Sequence, residues 1–242
     1  MKRLIRLIQN QTVHVELIST YKREMMGIGT VLVLLVHASD FGFSFPDSMS
    51  FINKLMTYGQ IGVNIFLIYS GIGVVFSLRK YSTCDFFFRR FKRVLIPYFI
   101  ITIPYCFFDQ IVNGIDSKTM VLDLLTLSYW TNHRGAWYVS VILVYYLISP
   151  QLVRLYKTKK KILLTILIFF LSLILWNQLY FSDSYFFNNI ATAFIRLPMF
   201  CIGILLAFSI RGGSCRISGY FNTFFFSIKG IAGIKRRMDY SV

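Results

Sequence analysis

Of 242 residues, 56% are hydrophobic and only 15% are charged, yet the formal net charge is +16. This balance argues against a water-soluble fold. A nucleic-acid binder needs its cations on a polar surface, whereas these punctuate long apolar runs, so the charge reads as membrane topology. Cys84, Cys106, Cys201 and Cys215 form no Cys-x-x-Cys pair and sit in or beside apolar segments. They imply neither a disulfide framework nor a metal site.

The amino terminus, MKRLIRLIQNQ, is interrupted by Arg3 and Arg6 and followed by no small-residue cleavage site. It reads as a surface-lying leader to the first span, not as a signal peptide. A hydrocarbon core of about 30 Å needs about 20 apolar residues as a helix. Met25 to Phe45 is the first predicted span and carries embedded polar groups; Tyr58 to Leu78 is the second and holds no charge. Val94 to Phe108 is a short third span with Pro97 and Pro104, which such helices tolerate where neighbours satisfy the freed backbone. VLDLLTLSYW, from Val121 to Trp130, is too short to cross and predicts a re-entrant or surface helix on the outer side. Ala136 to Val153, Ile162 to Phe181 and Ile190 to Ile210 complete six spans. The expected fold is all-α, a polytopic transmembrane bundle of about six spans. Residues 1–24 form a cytoplasmic segment, 25–210 the membrane domain and 211–242 a cytoplasmic basic tail.

Lys and Arg favour the cytoplasmic side, so their distribution over alternate loops tests the span count. The segments before span one, between two and three, between four and five, and after six hold 22 of the 26 basic residues. The opposite loops hold five aspartates but only Lys54, Lys118 and Arg134. A wrong count would scramble this alternation, so the amino terminus is expected in the cytoplasm.

Ionisable groups within a membrane cost several kcal/mol, which makes each a functional candidate. His37 and Asp40 lie one helical turn apart in the outer half of span one, and a histidine oriented by a carboxylate can act as a general base towards a hydroxyl. The alternative is that Asp40 sits in the outer interface while His37 hydrogen-bonds a neighbouring helix. Arg196, within span six, fits a functional role or a snorkelling, helix-pairing one. Arg89, Arg90, Lys92 and Arg93 form a basic face suited to the phosphates of a nucleotide or coenzyme, or to topology and anionic lipid. Gly59, Gly62, Ser70, Gly71 and Gly73 along span two read as close helix packing, with Ser70 facing substrate as the lesser reading. His133 lies near Trp130 and Trp137, where a sugar could stack.

Five segments in order resemble the integral-membrane acyltransferase family 3, whose members O-acylate bacterial polysaccharides, lipid-linked sugars and small molecules. They are TVLVLLVHAS ending near His37, GVNIFLIYSG from Gly62 to Gly71, RRFKRVLIPY from Arg89 to Tyr98, WYVSVILVYYLISP from Trp137 to Pro150, and RLPMFCIG from Arg196 to Gly203. The likeness covers roughly Lys22 to Gly203. Two departures stand out. The family usually has an arginine eleven residues before the histidine, where this chain has Met26, and Arg23 is an approximate substitute. Members also have about ten spans, so this chain looks like the first two-thirds of one, truncated after about six.

The resemblance implies an acyltransferase of a bacterial cell envelope, with acyl-CoA, acetyl-CoA foremost, as co-substrate and no bound cofactor. His37 would be the base and Asp40 its partner, with Arg23 or Arg196 stabilising developing charge. Arg89, Arg90 and Arg93 would meet the donor, and Ser70, His133 and Trp137 the saccharide acceptor. The rival classes are a transporter or flippase for a lipid-linked saccharide and a non-catalytic remnant of the family.

Overall fold

Apolar runs of twenty residues can satisfy their backbone only internally, and a helix does so within one segment. The computed structural model of the chain is accordingly all-helical among the residues it describes, which are 18, 20–132, 135–180 and 184–209. The expected basic tail, most of the amino-terminal segment, His133 and Arg134 lie outside the described residues. Residues 22–208 form one compact unit.

Its helices, in order, are α1 (Lys22–Asp40), α2 (Ser50–Tyr58), α3 (Gln60–Lys80), α4 (Thr83–Asn113), α5 (Ser117–Leu124), α6 (Ser128–Asn132), α7 (Trp137–Leu155), α8 (Lys161–Tyr180) and α9 (Tyr185–Ser209). Five of them, α3, α4, α7, α8 and α9, are long and apolar enough to cross a membrane. They match predicted spans two to six. The predicted first span, α1, is 19 residues long but holds Lys22, Arg23 and Glu24 in its first turn and Asp40 in its last, which keeps it short of the same standard.

The predicted third span is longer than expected. α4 runs for 31 residues, about 46 Å, so the basic face Arg89–Arg93 is part of the helix and not of a loop before it. Ser82 starts α4 by accepting the Asp85 backbone N–H at 3.2 Å, and Gly114 ends it in the left-handed conformation at φ +66°. Pro97 and Pro104 lie inside it. Pro150 in α7 similarly frees the Tyr146 carbonyl, which the Ser149 hydroxyl meets at 2.7 Å.

Small residues set the packing. α1 crosses α3 where Gly29 meets Gly62 and Gly59 meets the Leu32 carbonyl, and α3 crosses α9 where Gly71 meets the Phe200 carbonyl and Gly203 the Ile68 carbonyl. A Cβ at Gly59, Gly62, Gly71 or Gly203 would overlap those backbones, so the contacts require glycine. α9 is central, with 56% of its most apolar stretch buried against 11% for α8. The predicted re-entrant or surface element is two short helices, α5 and α6, stitched to three spans. Tyr98 of α4 donates to the Asp123 carbonyl, Ser140 of α7 to the Thr126 carbonyl at 2.9 Å, and Asn189 of α9 to the Tyr129 carbonyl. Asp123, Ser128 and Tyr129 are buried, so the segment packs into the bundle and does not merely lie on it.

Candidate active site

His37 stands in the last turn of α1, whose end is a Schellman motif: the Gly42 N–H bonds the Ser39 carbonyl at 3.0 Å and the Phe43 N–H the Ala38 carbonyl at 3.0 Å. Gly42 takes φ +81° to allow it. The imidazole Nδ1 lies 3.5 Å from an Asp40 carboxylate oxygen, so the carboxylate fixes which nitrogen faces away. The side chain is 57% exposed, so the imidazole is not sealed within the packing of the described helices. Its partner is on its own helix; among the described residues no neighbouring helix hydrogen-bonds it.

Arg196 projects from α9 between α3 and α7. Its guanidinium donates to Asn64 at 2.8 Å and to Gln60 at 2.7 Å, and lies 5.9 Å from the centre of the Trp137 ring. Both amides are neutral and no carboxylate pairs with it among the described residues. Its buried Nε has no hydrogen-bond partner there. This is a positive charge held in place but not neutralised, an arrangement suited to a charge that develops nearby. Gln60 and Asn64 escaped the sequence reading, which in span two weighed only the glycines and Ser70. The signal was present as two amides four residues apart at the start of an otherwise apolar run.

His37 and Arg196 stand at one end of the bundle. Val36 packs against Gly59, and the next residue, Gln60, holds Arg196. Arg23 does not join them. It precedes His37 by fourteen residues on α1, about 21 Å along the axis at 1.5 Å per residue, and belongs to the other end.

That other end gathers cations. Arg90 turns inward against Gly73 of α3 and lies 5.6 Å from the Tyr146 ring centre. Desolvation, and after it the charges of Arg93 and Arg90, push the Lys22 ammonium below the ordinary lysine value. Lys22 therefore lies within electrostatic range of both. Arg89 diverges and lies 4.2 Å from the Tyr81 ring centre. Arg79 and Lys161, at 4.9 and 5.7 Å from the Phe208 ring, add to the same end. Ser70 lies beside the Tyr138 hydroxyl within the bundle. His133 lies outside the described residues, and no metal-holding cluster of His, Cys, Asp or Glu occurs among those described.

An all-helical bundle with five membrane-crossing helices, a cationic end and an oriented imidazole towards the other defines a multi-pass membrane protein equipped for polar chemistry. The acyltransferase domain family known as Acyl_transf_3 matches residues 26–235, and the chain belongs to it. The protein is therefore a membrane acyltransferase that uses an acyl donor. Comparisons with curated proteins and with solved structures yield no significant match.

Proposed function

We propose that the protein transfers an acetyl group from acetyl-CoA to a hydroxyl of a cell-surface or lipid-linked saccharide in the bacterial plasma membrane, with its amino terminus in the cytoplasm. The observation that carries this reading is the His37–Asp40 pair, an imidazole oriented by a carboxylate at 3.5 Å on the end of an apolar helix.

Asp40 holds the imidazole through Nδ1, which leaves Nε2 to take the proton of the acceptor hydroxyl. The oxygen so released attacks the thioester carbonyl and gives a tetrahedral oxyanion, which a cation such as Arg196 stabilises. Collapse breaks the carbon–sulfur bond, the imidazolium returns its proton to the thiolate, and the acyl ester and coenzyme A leave. The polyanionic end of the donor meets Arg90, Arg93 and Lys22, with Arg89 and Arg23 at the periphery. The 15 helical steps of α1 from Lys22 to His37, about 22 Å, are the distance its extended arm has to bridge. Trp137 and Ser70 are assigned to the acceptor, as is His133, which lies outside the described residues.

Acetyl transfer from labelled acetyl-CoA by membranes containing the protein tests the reading. General-base catalysis contributes about 10² to 10⁴ in rate, so His37→Gln, which keeps size and hydrogen bonding but takes up no proton at neutral pH, lowers transfer by that order, while alanine at His14, in the amino-terminal segment before the first predicted span, does little. Near-normal transfer by His37→Gln would end the proposal.

A further inference from the structure

Between α4, α5 and the start of α7 lies a cavity of ≈ 360 Å³ that none of the roles above uses. Tyr98, Thr102 and Tyr105 of α4 form one wall, Asp123 of α5 another, and Gly135 with Ala136 the third. Tyr98 and Asp123 are almost wholly buried, whereas Tyr105 is 55% exposed, so the cavity runs from a polar floor to the outward face of α4. The floor is fixed, because the Tyr98 hydroxyl donates to the Asp123 carbonyl. Gly135, at φ +87°, keeps the third wall thin; a Cβ there would stand 3.8 Å from an Asp123 carboxylate oxygen, and a longer side chain would fill the space.

These walls select by chemistry. Mainly apolar surface with a few convergent polar groups is the usual make-up of a small-molecule site, and ≈ 360 Å³ suits a single ring-sized occupant. Two phenol rings offer flat faces, Thr102 a hydroxyl, and Asp123 a carboxylate able to accept hydrogen bonds from two adjacent hydroxyls. The carboxylate repels phosphate, so the polyanionic end of the donor is directed elsewhere. Arg93, in the cationic cluster, precedes Tyr98 on α4 by five residues, about 7.5 Å. On the other side, Ala136 is followed by Trp137, whose ring faces Arg196.

We propose that this cavity is an acceptor subsite that takes an uncharged pyranose ring, its face against Tyr105 and its vicinal hydroxyls on Asp123 and Thr102. The proposal rests on the transferase reading and gives its acceptor a location. A ring seated there extends past Trp137 towards Arg196, so the cavity grips one sugar while a neighbouring hydroxyl reaches the reacting end.

The test uses the full chain in lipid nanodiscs and saturation-transfer NMR with the methyl glycosides of glucose, galactose and mannose. The expected result is a probe signal that falls about tenfold in Asp123→Asn, the scale of losing one hydrogen bond to a charged group, and that also falls in Tyr105→Leu, which removes the ring's stacking face. Asn keeps the size of Asp, and position 105 is open enough to spare the packing, while retained acetyl-CoA binding reports that both variants fold. The transfer assay adds a split: the variants raise the KM for acceptor and leave the KM for acetyl-CoA unchanged. No signal with any probe, equal signals in wild type and variants, or displacement of the probes by free pantetheine overturns the proposal, the last because the cavity then holds the donor's arm. Absence of acyl transfer with an intact, variant-sensitive probe signal would instead defeat the transferase reading and leave the binding site standing.

Discussion

Arg89 and Arg90 are neighbours in sequence and part company in the structure. On a helix they point about 100° apart, so one turns to Gly73 and Tyr146 inside the bundle and the other lies over Tyr81 at its edge. Arg93 and Lys22 stand with the inward one, and three like charges with no carboxylate in ion-pair contact among the described residues repel one another unless an anion joins them. A polyphosphate donor relieves that repulsion. Arg90→Gln combined with Arg93→Gln is therefore expected to raise the KM for acetyl-CoA about tenfold or more, whereas Arg89→Gln changes it less than threefold. Initial rates over a range of acetyl-CoA at fixed acceptor give the numbers. An equal effect of all three would return the cluster to a role in topology alone.

The crossings of α3 with α1 and with α9 are made through glycine. Gly203 of α9 sits against the Ile68 carbonyl of α3, and Gly71 of α3 against the Phe200 carbonyl of α9, so the pair forms one close crossing. Gly203→Ala forces that crossing apart and is expected to destabilise the protein by about 1–3 kcal/mol, the usual cost of overpacking. Gly27→Ala, with nothing within 4 Å of the added methyl, is expected to be neutral or slightly stabilising, since alanine is the better helix former. Thermal unfolding of the two purified variants in one detergent compares them. Because α3 also carries Gln60 and Asn64, loosening its crossing with α9 displaces Arg196 and lowers activity along with stability.

Over the whole bundle, charge follows direction. The Lys22, Arg90 and Arg93 group, together with Arg79 and Lys161, occupies one end, while His37, Asp40 and Arg196 lie towards the other. With the cationic end in the cytoplasm, a cysteine placed at Asp116, between α4 and α5, is expected to react with an impermeant maleimide added to intact cells. One at Lys159, between α7 and α8, reacts only after the cells are opened. Native Cys84, exposed at the start of α4, behaves like the Lys159 position and serves as an internal control. Labelling of Lys159→Cys in intact cells would invert the topology.

The sequence by itself determined the helical class, the spans α3 and α7 to α9 nearly to their ends, the segregation of charge, and the His37–Asp40 pair, because each depends on spacing along one helix. It underestimated α4, since the basic residues and prolines that look like a boundary continue a helix longer than the bilayer's apolar core is thick. It left the α5–α6 segment between two descriptions and bracketed Arg23 with Arg196 as candidates for one role. Only the tertiary structure decided the first of these, because burial of Asp123, Ser128 and Tyr129 and the bonds to α4, α7 and α9 draw the segment into the bundle; the distance of Arg23 from His37 follows from spacing along α1 itself. The amides that hold Arg196 and the walls of the α4–α5–α7 cavity come from helices far apart in sequence, and a periodicity read along one chain segment holds no record of which segments will face each other.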